Sequence, residues 1–168
     1  MNIYLEQLID VVANEPQQEK VFAFTEEALG HLIGHKLFTV LGYEPAQRLV
    51  SRLYSNNPEN FPVGGYKRLG KTIWGQKVLI EGQPLIGRNR QELTQIFPDH
   101  KLILSLGLGS TLNIPVRIGG HTLGMLNLLH DEGYYTSEKL KYASSVAAVL
   151  APVFTWGSEI LYKRSVGE

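Results

Sequence analysis

The chain has 168 residues, of which 43% are hydrophobic and 19% are charged, and this composition suits one compact domain with a sizeable core. Sixteen basic residues balance sixteen acidic residues, so the chain lacks the positive net charge that would attract nucleic acid or an anionic membrane. The lack of cysteine excludes disulfides, thiolate metal sites and a thiol nucleophile. No apolar run has the length of a membrane-spanning helix and no basic leader is evident, so we expect a cytoplasmic protein.

Helical periodicity dominates the first third of the chain. Apolar residues recur at helical spacing over residues 5–12, and Pro16 opens a second such pattern that extends through residues 21–32. Two strands follow at residues 36–42 and 47–55, and the turn sequence YEPA separates them. This order predicts two helices and a hairpin.

A long connection occupies residues 56–98 and is rich in Gly, Pro and Asn. Its regular candidates are a short helix at residues 72–81 and another at residues 90–96. A connection of this length between strands is typical of a lid or a binding loop. We therefore expect the variable chemistry of the protein to lie in this segment.

Residues 102–130 predict a meander of three antiparallel strands. The predicted strands are residues 102–106, 111–118 and 122–129. Gly107 and Gly109 close the first strand, and the pair Gly119-Gly120 is a two-residue hairpin signal between the second and the third. Such a meander predicts part of a sheet and carries no catalytic constellation.

A last helix is expected to begin at Thr136 or Ser137, and Pro152 is expected to kink or end it. The order helix, helix, hairpin, long connection, meander, helix predicts an α+β fold. In this fold a central antiparallel sheet of five to six strands carries the N- and C-terminal helices on one face. A loop-rich lid covers the other face.

The ordering of these elements resembles that of a GAF domain, a fold related to PAS domains. The resemblance rests on NIPV at residues 113–116, which leads through a glycine turn into LGMLNL at residues 123–128, and it covers about residues 20–155. Five shorter motifs resemble small free-standing bacterial GAF proteins that carry no output domain. They are GHKLFT at 34–39, YSNNP at 54–58, PVGG at 62–65, WG at 74–75 and LLH at 128–130.

This resemblance implies a sensory fold for signal transduction, whose sheet and crossover enclose a small-molecule pocket and whose terminal helices often form dimers. The chain is then a single GAF-like domain over residues 1–168, with the helices at 1–15 and 136–162 as dimer elements. The candidate pocket residues are Tyr54, Tyr66, Trp74, Phe97, Asp99, Ser110, Asn127 and His130. Trp74 and Phe97 have the alternative role of filling the core, as large aromatic side chains commonly do.

Three roles known in this family conflict with the sequence. Reduction of free methionine sulfoxide depends on cysteine chemistry and covalent attachment of a bilin requires a cysteine, whereas this chain has none. Noncovalent binding of a tetrapyrrole is compatible with the sequence. Members that bind cyclic nucleotides typically carry an Asn-Lys-x-Asp motif, which the chain lacks. The ligand is therefore unknown, and the sequence requires no cofactor.

Residues 65–72, GYKRLGKT, match the phosphate-binding pattern G-x-x-x-x-G-K-[ST]. The context does not fit, because prolines at 58 and 62 occupy the place of the buried strand and glycines at 75 and 82 confine the following helix. P-loop nucleotide binding is therefore not expected. The segment still contains three basic residues that can face an anionic ligand, Lys67, Arg68 and Lys71.

The histidines do not predict a metal site. His31 and His35 have the i, i+4 spacing of a chelating pair, but Gly34 lies between them where the helix is expected to end. His130 closes the last strand, where it can bond to the loop backbone or face the pocket. We favour the structural role.

Three functional hypotheses follow. The first is a sensory, ligand-binding domain without catalysis. The second is an enzyme of non-cysteine mechanism that uses Asp99, His100 or His130 as acid or base, for which these residues must converge on one cavity. The third is a dimerisation scaffold whose pocket is filled by its own side chains. Small residues in the last helix and apolar residues in the first favour a homodimer, and any signalling partner is unknown.

Overall fold

The structure is a computed structural model that describes the backbone of residues 2–165 and the side chains of residues 2–155. The helices are α1 (Ile3–Asn14), α2 (Gln18–Leu32), α3 (Arg90–Ile96), α4 (His100–Ser105) and α5 (Ser137–Ser165), and a π-helix spans Gly75–Ile80. The strands are β1 (Leu37–Glu44), β2 (Leu49–Ser55), β3 (Gly64–Arg68), β4 (Leu85–Gly87), β5 (Ser110–Ile118) and β6 (His121–His130).

The six strands form one sheet in the order β3-β2-β1-β6-β5-β4, and each neighbouring pair is antiparallel. Strands β1 and β6 lie at the centre of this order. The predicted α+β class, with a sheet of five to six strands, is confirmed. The predicted hairpin of β5 and β6 is also confirmed, because Gly119 and Gly120 adopt the positive φ angles of 56° and 82° that glycine tolerates at such a turn.

The sheet separates two apolar cores. Helices α1, α2 and α5 cover one face, where Phe22, Phe38 and Leu126 are fully buried. The crossover between β2 and β5 covers the other face, where Phe61 and Met125 are buried. The expected arrangement of terminal helices on one face and a lid on the other is therefore confirmed, and we call the crossover, residues 56–109, the lid.

The predicted strand at residues 102–106 is wrong, because residues 102–105 belong to helix α4 and Leu106 lies in the turn that follows it. Ile103 is buried, whereas Leu102 and Leu104 are only half-buried, and this one-sided burial suits a short helix lying on the lid core. Gly107 ends the helix with a φ of 78°. Four of the five residues in this segment are apolar, and so short a run shows no period that distinguishes a strand from a buried helix, so the sequence pattern misled.

The lid contains more regular structure than the sequence predicts. Helix α3 occupies the predicted residues, and the helix predicted at 72–81 is present as the shorter π-helix. Strands β3 and β4 were not predicted. Every residue of β3 is exposed and β4 has only three residues, so neither strand shows a recognisable alternation of apolar and polar residues.

Helix α5 continues through Pro152 to Ser165, so Pro152 does not end the helix, which leaves a kink as the other predicted effect of this proline. Pro152 is exposed, and Ala148, whose carbonyl loses the helical N–H donor, is exposed as well. Water can therefore satisfy the released carbonyl without ending the helix. Within residues 2–165, no helix combines the length and the hydropathy that crossing a bilayer requires.

Candidate ligand-binding site

A cavity of about 90 Å³ lies between the sheet and the lid. Its floor includes Thr39 of β1 and Asn127 of β6, and its walls include the aromatic rings of Phe61, Trp74 and Phe97. Pockets for drug-sized ligands usually measure roughly 300–1,000 Å³. At this volume the cavity fits only a small molecule of few atoms.

Four of the predicted pocket residues meet at this cavity. Trp74 and Phe97 enter from the lid, Asp99 lies at the start of α4, and Asn127 comes from the sheet. Phe97 is buried, Trp74 is half-buried and Asp99 is exposed. The structure thus joins residues that lie 53 positions apart in the sequence, from Trp74 to Asn127.

Two other predicted pocket residues lie elsewhere on β2 and β3. Tyr54 points to the helix face of the sheet, where it packs against Phe22 and Phe38 and its hydroxyl donates to the Glu26 carboxylate. Burial, reinforced by this carboxylate, raises the pKa of Tyr54. Tyr66 is 53% exposed on strand β3. Neither side chain lines the cavity.

The last two predicted pocket residues hold the end of strand β6. The Ser110 hydroxyl donates to the Asp131 carbonyl at 2.7 Å. The His130 ring stacks on Tyr134 with 3.5 Å between ring centroids, and its Nδ1 accepts from the Asp131 amide at 2.7 Å. Burial lowers the pKa of His130, an effect that the Asp131 carboxylate partly opposes. These contacts match the structural role that we favoured for His130.

Arg52 also lines the cavity, although the sequence analysis did not identify it. Regular alternation along β2 would place Arg52 and Tyr54 on the same face. However, the register with β1 shifts, so that Val40 pairs with Tyr54 and Leu41 pairs with Arg52, while Leu53 has no partner. This bulge turns Arg52 toward the lid and leaves Tyr54 on the helix face.

The guanidinium of Arg52 is only partly satisfied. Its Nη1 donates to the Pro62 carbonyl at 3.1 Å, and its Cζ lies 5.6 Å from the centre of the Phe61 ring. The buried Nε has no hydrogen-bond acceptor among the described residues. Burial lowers the pKa of Arg52, and the nearby Asp99 carboxylate raises it. A buried, charged donor without an acceptor is costly, which marks this atom as a candidate ligand contact.

A ladder of buried polar side chains crosses the floor of the cavity. The Asn127 amide donates to the Thr39 hydroxyl at 3.1 Å, and the Asn113 amide donates to the Asn127 oxygen at 2.8 Å. The Thr111 hydroxyl lies 3.2 Å from both the Asn113 oxygen and the Leu128 carbonyl. The ladder joins β1, β6 and β5, and bonded networks of this kind hold buried side chains in fixed orientations.

The three residues of the enzymatic hypothesis do not converge. Asp99 lines the cavity, but the His100 ring bonds to the Phe97 carbonyl at 2.9 Å through Nδ1. His130 is stacked on Tyr134 at the end of β6 and is not part of the cavity lining. The arrangement that this hypothesis required is therefore missing from the described residues.

The segment that matches the phosphate-binding pattern lies on the edge of the sheet. It begins in β3, which pairs only with β2 and runs antiparallel to it. The Thr72 hydroxyl accepts from the Gly75 amide at 3.1 Å, and only a six-residue π-helix follows. Lys71 is exposed beside a separate surface groove. The strand, parallel sheet and full helix of a phosphate loop are thus missing here.

The histidines at 31 and 35 engage separate partners. The His31 ring stacks on Tyr4 with 4.3 Å between centroids, and His35 Nε2 bonds to the Glu26 carbonyl at 2.9 Å. Across the described part of the chain, no group of three potential ligands for a metal ion is present.

Comparison with known proteins decides the family. A family model described as GAF domain matches residues 19–154. The chain belongs to the GAF domain family. The GAF domain of an Acinetobacter phosphoenolpyruvate-protein phosphotransferase superposes with a TM-score of 0.74 at 12% identity, covering 95% of this chain and 98% of that one. No curated protein sequence matches the chain.

Two further solved structures share the GAF fold. A free methionine-R-sulfoxide reductase from Neisseria meningitidis, solved with its substrate, has a TM-score of 0.63 at 16% identity and covers 94% of this chain and 89% of that one. A methyl-accepting chemotaxis protein has a TM-score of 0.68 at 15% identity, with coverage of 92% and 97%. At these identities the similarity shows the fold alone.

Proposed function

We propose that this GAF domain is a sensory module that binds a small molecule in the cavity between the sheet and the lid, without catalysis of its own. The observation that carries the proposal is the buried Nε of Arg52, which faces no acceptor in a cavity lined by Trp74 and Asn127. A bound molecule supplies the missing acceptor. The fold shared with a chemotaxis protein and with a substrate-bound reductase is consistent with this use.

Binding in this cavity links two parts of the molecule. A ligand there touches the sheet through Thr39 and Asn127, and it touches the lid through Trp74 and Phe97. A ligand that binds the closed state of the lid more tightly than the open state shifts the population toward the closed state. The size of the shift is set by the difference between the two affinities. This difference provides a signal without any chemical step.

Native mass spectrometry of the chain purified from its own host tests the proposal. We expect a retained small molecule, and a cavity-filling substitution should abolish its retention. Ile103→Phe places extra volume against the cavity, whereas Ile96→Phe adds the same volume elsewhere in the lid core. Ile103 is 3% exposed and Ile96 is 6% exposed, so the two substitutions are closely matched.

Retention should be lost in Ile103→Phe and kept in Ile96→Phe. Equal retention by both variants would place the molecule outside the cavity and contradict the proposal. Circular dichroism of each variant shows whether it is folded. If Ile103→Phe is unfolded, Leu129→Phe adds volume at another buried residue that lines the cavity, with the same expectation of lost retention.

A dimerisation scaffold is the second candidate, because the cavity is small and is already walled by Phe61, Trp74 and Phe97. Ile3 is 61% exposed and Ile9 is 44% exposed on α1, so this helix offers an apolar surface to a second copy. The homodimer and the cytoplasmic location remain predictions. A dimer mass without any retained molecule would favour this candidate over the first.

The small residues of α5 divide between two surfaces. Ala143, Ala147 and Ala151 are buried against the sheet within the same chain. Ser144, Ser145 and Ala148 are exposed. The first set therefore has an intramolecular role, and only the second set is available to a partner.

A further inference from the structure

We infer that the cavity takes a small zwitterion, a molecule with a carboxylate and an ammonium group such as a free amino acid. Its carboxylate binds Arg52 and its ammonium group binds Asp99. This inference rests on the proposed function, since it names the ligand class of the same cavity.

The free edge of Arg52 suits a carboxylate. The Pro62 carbonyl already occupies Nη1, so the remaining edge of the guanidinium presents Nε and Nη2 side by side. Nε is buried and has no acceptor among the described residues. Two parallel N–H groups match the two oxygens of a carboxylate, and such paired bonds are stronger than bonds between neutral groups. A carboxylate therefore satisfies the unpaired donor better than a single hydroxyl does.

Asp99 adds an opposite charge to the same cavity. Its carboxylate is exposed, and although Asp99 precedes α4, its side chain does not cap that helix. Asp99 and Arg52 do not form an ion pair within 4.0 Å. Among residues 2–155, Asp131 is the carboxylate partner in every ion pair. Yet Asp99 is close enough to affect Arg52 electrostatically. Both side chains line the same cavity, so a ligand bound there lies beside both charges.

This pair of charges discriminates among ligands. A dianion such as a phosphate gains Arg52 but is repelled by Asp99, and a diamine gains Asp99 but is repelled by Arg52. A molecule that carries one charge of each sign avoids both penalties. Trp74 provides an aromatic face for the ammonium or for a small apolar substituent, and the cavity of about 90 Å³ limits that substituent to few atoms.

Calorimetric titration of the full chain with each standard L-amino acid tests the inference. For any amino acid that binds, the matched carboxylate without the amino group and the matched amine without the carboxyl group are titrated next. We expect at least one amino acid to bind, and each analogue to bind at least about tenfold more weakly. The amine leaves the half-buried Arg52 guanidinium unpaired, and the carboxylate leaves Asp99 unpaired.

Two substitutions separate the two contacts. Arg52→Gln should weaken amino-acid binding at least about tenfold and should remove the residual binding of the carboxylate analogue. Asp99→Asn should weaken amino-acid binding and leave the carboxylate analogue unaffected or improved. Arg68→Gln and Glu59→Gln change the same charges at exposed positions away from the cavity, so they should not alter binding.

The inference is overturned if no standard amino acid binds, if an analogue with a single charge binds as tightly, or if Asp99→Asn has no effect. These results are distinguishable from failure of the proposed function. A different molecule retained in native mass spectrometry and lost in Ile103→Phe would keep the cavity as a binding site while excluding the zwitterion.

Discussion

The buried ladder beneath the cavity supports a quantitative prediction about stability. Asn127→Leu removes the acceptor of the Asn113 amide and the donor to the Thr39 hydroxyl. Leaving a buried polar group without a partner costs about 1–3 kcal/mol, and two groups are affected. Leucine recovers about 1–2 kcal/mol through its apolar surface. We therefore expect the free energy of unfolding to fall by about 2–3 kcal/mol.

Urea unfolding followed by circular dichroism measures this change, provided that the m value stays constant. The double variant Asn113→Leu with Asn127→Leu removes both members of one bond, so it should cost at least about 1 kcal/mol less than the sum of the single variants. The control cycle combines Asn127→Leu with Thr25→Val. Thr25 is buried in α2 on the opposite face, so this pair should be additive.

Two results would refute the reasoning about the ladder. One is a loss below about 0.5 kcal/mol for Asn127→Leu, since changes of that size are typical of surface positions. The other is an additive pair of Asn113 and Asn127 substitutions, which would show that the two side chains are not coupled.

Three further predictions concern other parts of the domain. Gly124→Ala should lower the free energy of unfolding in urea by about 2 kcal/mol or more, because the added Cβ would lie 2.1 Å from the Leu41 carbonyl oxygen. In the control variant Gly70→Ala the added Cβ meets no atom within 4 Å, so stability should not change. Burial lowers the pKa of His130, so the unfolded state binds the proton more readily than the folded state does. The free energy of unfolding should therefore fall between about pH 7 and pH 5, and it should fall more in wild type than in His130→Gln. Lys71→Ala should leave the calorimetric affinity for ATP unchanged.

The elements that were predicted from the sequence carry an unambiguous local signal. The glycine pair at 119–120 tolerates the positive φ angles that the tight turn between β5 and β6 requires. Helix α3 begins after Asn89, whose side chain accepts from the Glu92 amide at 2.9 Å. The apolar run at 102–106 lacks such a signal. Its helical state follows from packing on the lid core, which the sequence does not display.

The candidate site was predicted only in part, for a physical reason that concerns β2. Trp74, Phe97, Asp99 and Asn127 were identified as pocket residues, and the fold brings them together. Arg52 was missed because the bulge at Leu53 breaks the two-residue period that assigns side chains to faces. No local pattern in this strand marks the bulge. Its position depends on the pairing of β2 with β1.

A crystal structure of the chain purified from its own host tests the central claim most directly. The account predicts electron density for a small molecule in contact with Arg52, Trp74 and Asn127, with an acceptor within hydrogen-bond distance of the Arg52 Nε. A cavity that holds only water, in protein whose native mass shows a bound molecule, would contradict it.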